Sequence, residues 1–208
     1  MKQNIRRYEN GDRDGVRRIA VGTASGYPRS DPELIADLLS NYYVEHEPEH
    51  LLVAESNGVT TGYLFGCVQT RRCRLVKSLS VFPKAVIRGL LRRKIRWREI
   101  RYFASTAYVA VKGGLRSSPP RGYPSHFHVN VAREYRRKGI GTALVERFTE
   151  VLRENRVPGV HVRVRRNDLK AADFFKSFGF TRARAYPVVV AEEKGMRASW
   201  SVVYVKDL

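Results

Sequence analysis

Between residues 125 and 155 the apolar period of the chain changes from two to about 3.6 across a basic, glycine-bearing turn. Ser125 to Val131 alternates as a half-buried strand does, and Thr142 to Asn155 repeats its apolar residues as an amphipathic helix does. The turn reads Arg136-Arg137-Lys138-Gly139-Ile140-Gly141-Thr142. A strand that feeds a helix so directly calls for a sheet with helices packed against it. The turn is also an anion cradle. Glycine lets backbone N–H groups approach a ligand closely, and a helix N-terminus carries partial positive charge. Two phosphate loops are excluded: the chain lacks G-x-x-x-x-G-K-[ST], and Leu144 stands where a dinucleotide fingerprint has its third glycine.

The flanking sequence continues the alternation. Ile5 to Glu9 reads as a strand, and Asp12 to about Ser25 as a helix with Val16, Ile19, Ala20 and Thr23 on one face. After the turn Tyr27 to Pro32, a second helix starts near Asp31 with Pro32 at its first position, and Leu34, Ile35, Leu38, Leu39 and Tyr42 recur at helical spacing. Leu51–Glu55 and Gly62–Thr70 read as strands around Ser56-Asn57-Gly58. Strand Val160–Arg165, helix Leu169–Phe178 and a closing strand Trp200–Val205 follow. The order predicts an α/β (α+β) fold. Its 208 residues suit a single domain with an insertion at about 71–122.

Between Arg71 and Arg101 there are twelve Lys or Arg against one acid, Glu99. This insertion reads as partly helical over Pro83 to Phe103, with Ile87, Leu90, Leu91, Ile95 and Ile100 facing inward. Gly113-Gly114 and Ser117 to Pro120 read as a flexible return. The whole chain carries a formal charge of +19, which suits an anionic partner. Cys67 and Cys73 are too few for a disulfide framework. With no apolar leader in residues 1–9 and no apolar run of ~20 residues, they predict a reduced, cytoplasmic setting without a membrane span.

Val131 stands five residues before Arg136, and Arg136-x-x-Gly139-x-Gly141 resembles the pyrophosphate loop of the GNAT superfamily of acetyl-CoA-dependent N-acetyltransferases. Downstream, Ala171, Phe174, Gly179 and Phe180 are similar to that family's closing helix. The resemblance spans nearly the whole chain outside the insertion and implies a mainly antiparallel sheet with one splayed parallel pair. A narrower resemblance, carried by Tyr123 to Asn130 and Val157 to His161, is to bacterial relatives of the acetyltransferase-like domain of O-GlcNAcase. By resemblance, acetyl-CoA is the co-substrate. Its pyrophosphate would lie on the N–H groups of Arg137, Lys138, Gly139, Ile140, Gly141 and Thr142, with Arg136 adding charge. Its pantetheine arm would pair with main chain near Val129 and Val131. Asp168 and Phe174 complete the cofactor side.

Two positions depart from the pattern. Asp168 replaces the family's Asn and still caps a helix. Phe175 replaces the usual Tyr, which in many members protonates the leaving thiolate. A thiol pKa near ~8.5 lets that thiolate leave without much help. His126 and His128 share one strand face with Asn130 and are candidate bases; their alternative is ordinary hydrogen bonding in a half-buried strand. In the O-GlcNAcase-like relatives an aspartate stands where this chain has Asn130. Tyr123 and Tyr186 are candidate acids. Pro48 breaks the His46-x-x-x-His50 spacing, so no metal site is expected. Glu45, Glu47 and Glu49 are expected to border the acceptor site.

Three readings of the insertion stay open beside a solvated helix: nucleic-acid contact with Trp97, Tyr102 and Phe103 as stacking groups, an anionic membrane surface, or a cover over the site. The expected reaction is transfer of acetyl from acetyl-CoA to a primary amine on a small molecule or protein. The alternative is a GNAT-like module that binds CoA or nucleic acid with little catalysis. The acceptor and the oligomeric state, a dimer included, stay open.

Overall fold

The computed structural model describes residues 4–24, 27, 31–92, 95, 97–113, 118–192 and 195–208. Residues 28–30 of the expected early turn, Ser25 and 114–117 of the expected return lie outside them.

The first half supplies β1 (Asn4–Arg7), α1 (Arg13–Thr23), α2 (Pro32–His46), β2 (Leu51–Ser56) and β3 (Val59–Cys67). The Asp31 side chain caps α2 by accepting from the Glu33 N–H at 3.0 Å, as its place before Pro32 predicts. Asp12 does not cap α1 with its side chain; it accepts from Arg6 and from the Glu9 N–H instead. β2 and β3 turn on Asn57 and Gly58, both at positive φ, the geometry a two-residue hairpin requires. β3 stops at Cys67, three residues earlier than expected, because Thr70 already opens a helix.

The segment expected to be an insertion is helical: α3 (Thr70–Val76) runs through a π turn (Lys77–Val81) into α4 (Phe82–Leu91), and α5 (Trp97–Gly113) follows. Its inner face is not the expected one. Ile87, Leu90, Leu91 and Ile100 are exposed, whereas Val81, Ala85 and Gly89 are buried. Small residues at every fourth position let α4 lie close to its neighbours, which turns the large side chains outward. Of the five expected inward residues only Ile95 faces in, with its side chain 2.9 Å from where a Cβ on Gly89 would sit. Trp97, Tyr102 and Phe103 do not form one stacking surface either. Trp97 is 70% exposed, and Tyr102 is buried.

The second half gives β4 (Ser125–Val131), α6 (Ile140–Glu154), β5 (Gly159–Arg165), α7 (Leu169–Ser177), β6 (Thr181–Glu192) and β7 (Gly195–Asp207). The seven strands lie in the order β1-β2-β3-β4-β5-β7-β6. Every neighbouring pair is antiparallel except β4 and β5. The mixed, mainly antiparallel sheet flanked by helices is the fold expected above.

Leu51-Leu52-Val53-Ala54 is apolar without interruption because β2 is covered on both faces. Leu52 and Ala54 join a core with Leu64, Phe127, Leu144, Phe148 and Phe175 under α6 and α7. Leu51 and Val53 join a second core with Val16, Tyr42, Tyr43, Tyr63, Phe65 and Cys67 under α1 and α2. β4 therefore divides its side chains: Phe127 packs toward α6, and His126, His128 and Asn130 point to the α1–α2 side.

Candidate active site

The parallel ladder between β4 and β5 holds only two residue pairs, Ser125 with Val160 and His126 with His161. Beyond them the strands part. The Ala132 N–H donates to the Thr61 carbonyl, on the β3 side. Strand alternation then turns the main chain of Val131, Val129 and Phe127 toward the opening gap. Such an edge inside a sheet is a place for an extended ligand to pair as an added strand.

The basic turn stands at the open end of this gap. Arg137 and Gly139 both have positive φ, at 61° and 78°, which coils the turn ahead of α6. Gly139 is the N-cap, and no side chain caps the helix there. The first intrahelical donor is the Ala143 N–H, bonded to the Gly139 carbonyl. The N–H groups before it have no helical acceptor, as at any helix N-terminus that receives an anion. Arg136, Arg137 and Lys138 are exposed around it. Arg136 Nε also donates to the Val131 carbonyl at 3.0 Å, tying the turn to the end of β4. On the α7 side Phe174 lies 3.5 Å from the Cβ position of Gly141, and Asp168 caps α7 by accepting from the Ala171 N–H.

Opposite the cradle, on the α1–α2 face, the sheet borders a cavity of about 630 Å³. Tyr63, Phe65, His128 and Asn130 form its floor, and Lys77, Phe82, Tyr102 and Phe103 of the insertion form its roof. The insertion thus covers the face of β4 that carries the two histidines. Asn130 Nδ2 donates to the Tyr63 hydroxyl at 2.9 Å.

The sequence model of the Acetyltransferase (GNAT) family matches residues 16–180. The chain belongs to that family. It is accordingly an acyl-CoA N-acyltransferase, with acetyl-CoA as co-substrate. No curated protein matches it in sequence. Among solved structures, SsHAT is 21% identical with a TM-score of 0.67, over 100% of this chain and 98% of that one. The ribosomal-protein-S18-alanine N-acetyltransferase from Escherichia coli is 14% identical with a TM-score of 0.57, over 99% and 94%. YncA from Salmonella typhimurium, solved with its cofactor acetyl-CoA, is 18% identical with a TM-score of 0.60, over 100% and 95%. At these identities the likeness is one of fold.

Within this GNAT chain the sequence-derived residues fall into distinct places. His126 gives both ring nitrogens to hydrogen bonds, Nδ1 with Thr70 Oγ1 at 2.7 Å and Nε2 with the Tyr43 hydroxyl at 2.9 Å. One of its ring nitrogens also lies within 4.8 Å of the Cys67 and Cys73 sulfurs, a triangle of two buried thiols and a half-buried imidazole that no sequence spacing announced. Burial, with His128 and Lys77 close by, holds the His126 pKa well below its usual value. His128 stands exposed on the cavity wall. The protein crowded around it and the cations Lys77 and Arg163 push its pKa down to about 3. Tyr186 is buried on β6 beneath the Arg163 guanidinium, 5.7 Å from its ring centre. Tyr123 lies before β4, at the closed end of the ladder, where its ring abuts Gly159. Phe175 packs against Phe127, Phe174 and Phe180 in the core under α6. Glu47 is turned inward and accepts from Tyr42, His50 and the Val68 N–H. Neither it nor Glu45 nor Glu49 lines the cavity.

His161, the register partner of His126, is 1% exposed and donates from Nδ1 to the Tyr123 carbonyl. Burial, with Arg163 nearby, pushes its pKa down to about 4. An unfolded histidine takes up its proton near ~6.5, so the unfolded chain binds the proton first as pH falls and folding stability declines through that window. From pH ~7.5 to pH ~5 this residue alone costs about 2 kcal/mol. Urea midpoints taken at pH ~7.5 and pH ~5 are expected to differ accordingly, and His161→Gln to narrow the difference.

Proposed function

We propose that this protein moves the acetyl group of acetyl-CoA to a primary amine by direct attack on the thioester, with the amine held in the cavity beneath the insertion. The observation that carries this reading is the continuity of three features: the uncapped N-terminus of α6, the gap between β4 and β5, and the cavity on the other face of β4. The N–H groups from Arg137 to Thr142 take the pyrophosphate, and Val129 pairs with the pantetheine arm. The thioester then reaches the point where the strands meet, near Phe127 and His128. There a main-chain N–H turned to the gap stabilises the oxyanion of the tetrahedral intermediate.

The amine must arrive neutral. His128 is the histidine open to the cavity, but a pKa near 3 makes it a weak base. It therefore serves as one hydrogen-bond acceptor in a water path that carries the proton away, while His126 holds the strand in place. On the leaving side, Phe175 cannot donate a proton and the thiolate departs unaided or with help from Tyr186. Tyr186→Phe is expected to lower turnover about tenfold without changing acetyl-CoA binding, less than the 10²–10⁴ of an obligatory acid. A drop of three orders of magnitude would make Tyr186 the missing acid. The reading itself is tested by free-thiol release from acetyl-CoA across a panel of amines. Amine-dependent release with an acetylated product supports it, and tight CoA binding with no release from any amine overturns it.

A further inference from the structure

Three side chains from three elements converge where β4 begins to pair with β5. Cys67 and His126 are register partners across β3 and β4, so their side chains stand on one face of the sheet. β3 ends at Cys67, and the chain folds back at once into α3. The Thr70 N–H donates to the Pro124 carbonyl at 2.8 Å, and the Cys73 N–H to the Gln69 carbonyl at 3.1 Å. The Ser125 hydroxyl ties the same corner by donating to the Cys67 carbonyl at 2.7 Å. This tight return brings Cys73 over the strand pair. The Cys67 and Cys73 sulfurs and one His126 ring nitrogen lie within 4.8 Å of one another, and both cysteines are free and buried.

Two thiols and an imidazole form a ligand set that selects a soft ion over calcium or magnesium. A tetrahedral ion with Zn–S bonds of ~2.3 Å and a Zn–N bond of ~2.0 Å holds these atoms about 3.5–3.8 Å apart, so closure by roughly 1 Å completes the set. The existing hydrogen bonds do not oppose this. His126 is held by the Thr70 and Tyr43 hydroxyls; when one ring nitrogen takes the ion, its hydroxyl turns away and the other keeps the ring oriented. Glu47 Oε1, 3.7 Å from the Cys67 sulfur, is within reach of the fourth position, and His50 and the Val68 N–H hold its other oxygen. Charge does not oppose it either. Two thiolates and this carboxylate exceed a divalent ion by one negative charge. Lys77, 4.3 Å from the centre of the Tyr43 ring, offsets it. Entry is open, because Cys73 and His126 line a cleft of about 130 Å³ that shares Lys77 and His128 with the main cavity.

We propose that Cys67, Cys73 and His126 bind one thiophilic divalent ion of the zinc type, with Glu47 at the fourth position. Both thiols release their protons to solvent as the ion enters. The site joins α3 to β3 and β4. The π turn and α4 continue from α3 and supply Lys77 and Phe82 to the roof of the cavity, so the ion fixes the root of that roof on the sheet. The proposal stands apart from the acetyl-transfer reading and does not need it.

The test uses the whole chain, reduced and freed of metal by a chelator, titrated with Co²⁺ and then with Zn²⁺. Co²⁺ is expected to give a thiolate-to-metal charge-transfer band with the intensity of two thiolates and the d–d bands of a tetrahedral site, and Zn²⁺ to displace it at one ion per chain. Cys73→Ala is expected to weaken Zn²⁺ at least about 100-fold, and Glu47→Gln about tenfold with both thiolates still bound. His46→Gln, an exposed histidine outside the site, is expected to change nothing. Zn²⁺ is expected to slow amide exchange across residues 70–91 in the wild type and not in Cys73→Ala. Absence of the charge-transfer band, or Zn²⁺ affinity unchanged in Cys73→Ala, overturns the site. Binding with unchanged exchange overturns its role in holding the roof. Should Cys73→Ala fail to fold, the wild-type Co²⁺ spectrum still decides, because its charge-transfer intensity counts the thiolates.

Discussion

Gly139→Asp is expected to weaken acetyl-CoA binding at least about 100-fold, roughly 2.7 kcal/mol, while leaving the fold intact. Gly139 is the N-cap of α6 at φ 78°, and a Cβ there would meet nothing within 4 Å. Asp tolerates positive φ better than most residues, so the backbone can keep its shape. What changes is charge. A carboxylate would fold onto the donors proposed for the pyrophosphate and repel its negative charge. Gly139→Asn has nearly the same shape without the charge and is expected to lose about tenfold or less. Calorimetric titration of both variants separates the two causes. Equal losses would assign the effect to the backbone, and no loss in either would remove the cofactor from this turn.

Gly66→Ala is the substitution expected to cost most stability, about 3 kcal/mol, at the upper end of overpacking effects. Gly66 lies in β3 opposite Phe127. A Cβ there would fall 2.0 Å from Phe148 Cε2, 2.3 Å from its Cζ and 2.8 Å from the His50 carbonyl oxygen. Phe148 is fully buried in α6, and the carbonyl is main chain, so neither can give way cheaply. Gly62, four residues earlier on the same strand, has its nearest contacts at 3.2 Å and is expected to tolerate Ala at about 1 kcal/mol. Urea denaturation of both variants checks the ranking. The link to function is α6 itself: the helix that Phe148 anchors begins at the Gly139 turn, so Gly66→Ala is also expected to weaken acetyl-CoA binding.

Local signals carried much of the fold. The change of period around residues 125–155, the Asp31-Pro32 start of α2, the Asn57-Gly58 hairpin and the Asp168 cap of α7 are each written in a few adjacent residues, and each appears where the sequence places it. No sequence signal marks β6, and the expected strand Trp200–Val205 covers only about half of β7. In β6, Pro187 interrupts the run, but β6 is the edge of the sheet, where a missing N–H costs no ladder bond. The inner face of α4 is not legible in the sequence, because large apolar residues usually point inward, whereas packing here is set by Ala85 and Gly89, with Val81 just before the helix. The basic turn is legible as one continuous stretch of sequence. The cleft between Lys77, His128 and Arg163 is not, because tertiary structure brings these residues together and no local spacing joins them. Nor could sequence show that Glu47 turns inward to Tyr42 and His50.

The central claim is that acetyl-CoA runs from the Gly139 turn along the gap between β4 and β5 and presents its acetyl group to the cavity on the α1–α2 face. A crystal structure with acetyl-CoA bound tests this most directly. The expected result is a pyrophosphate on the N–H groups of residues 137–142, a pantetheine arm beside Val129 and an acetyl carbon at the strand junction near Phe127 and His128. A cofactor seated elsewhere, or one whose acetyl group points away from that cavity, would contradict it.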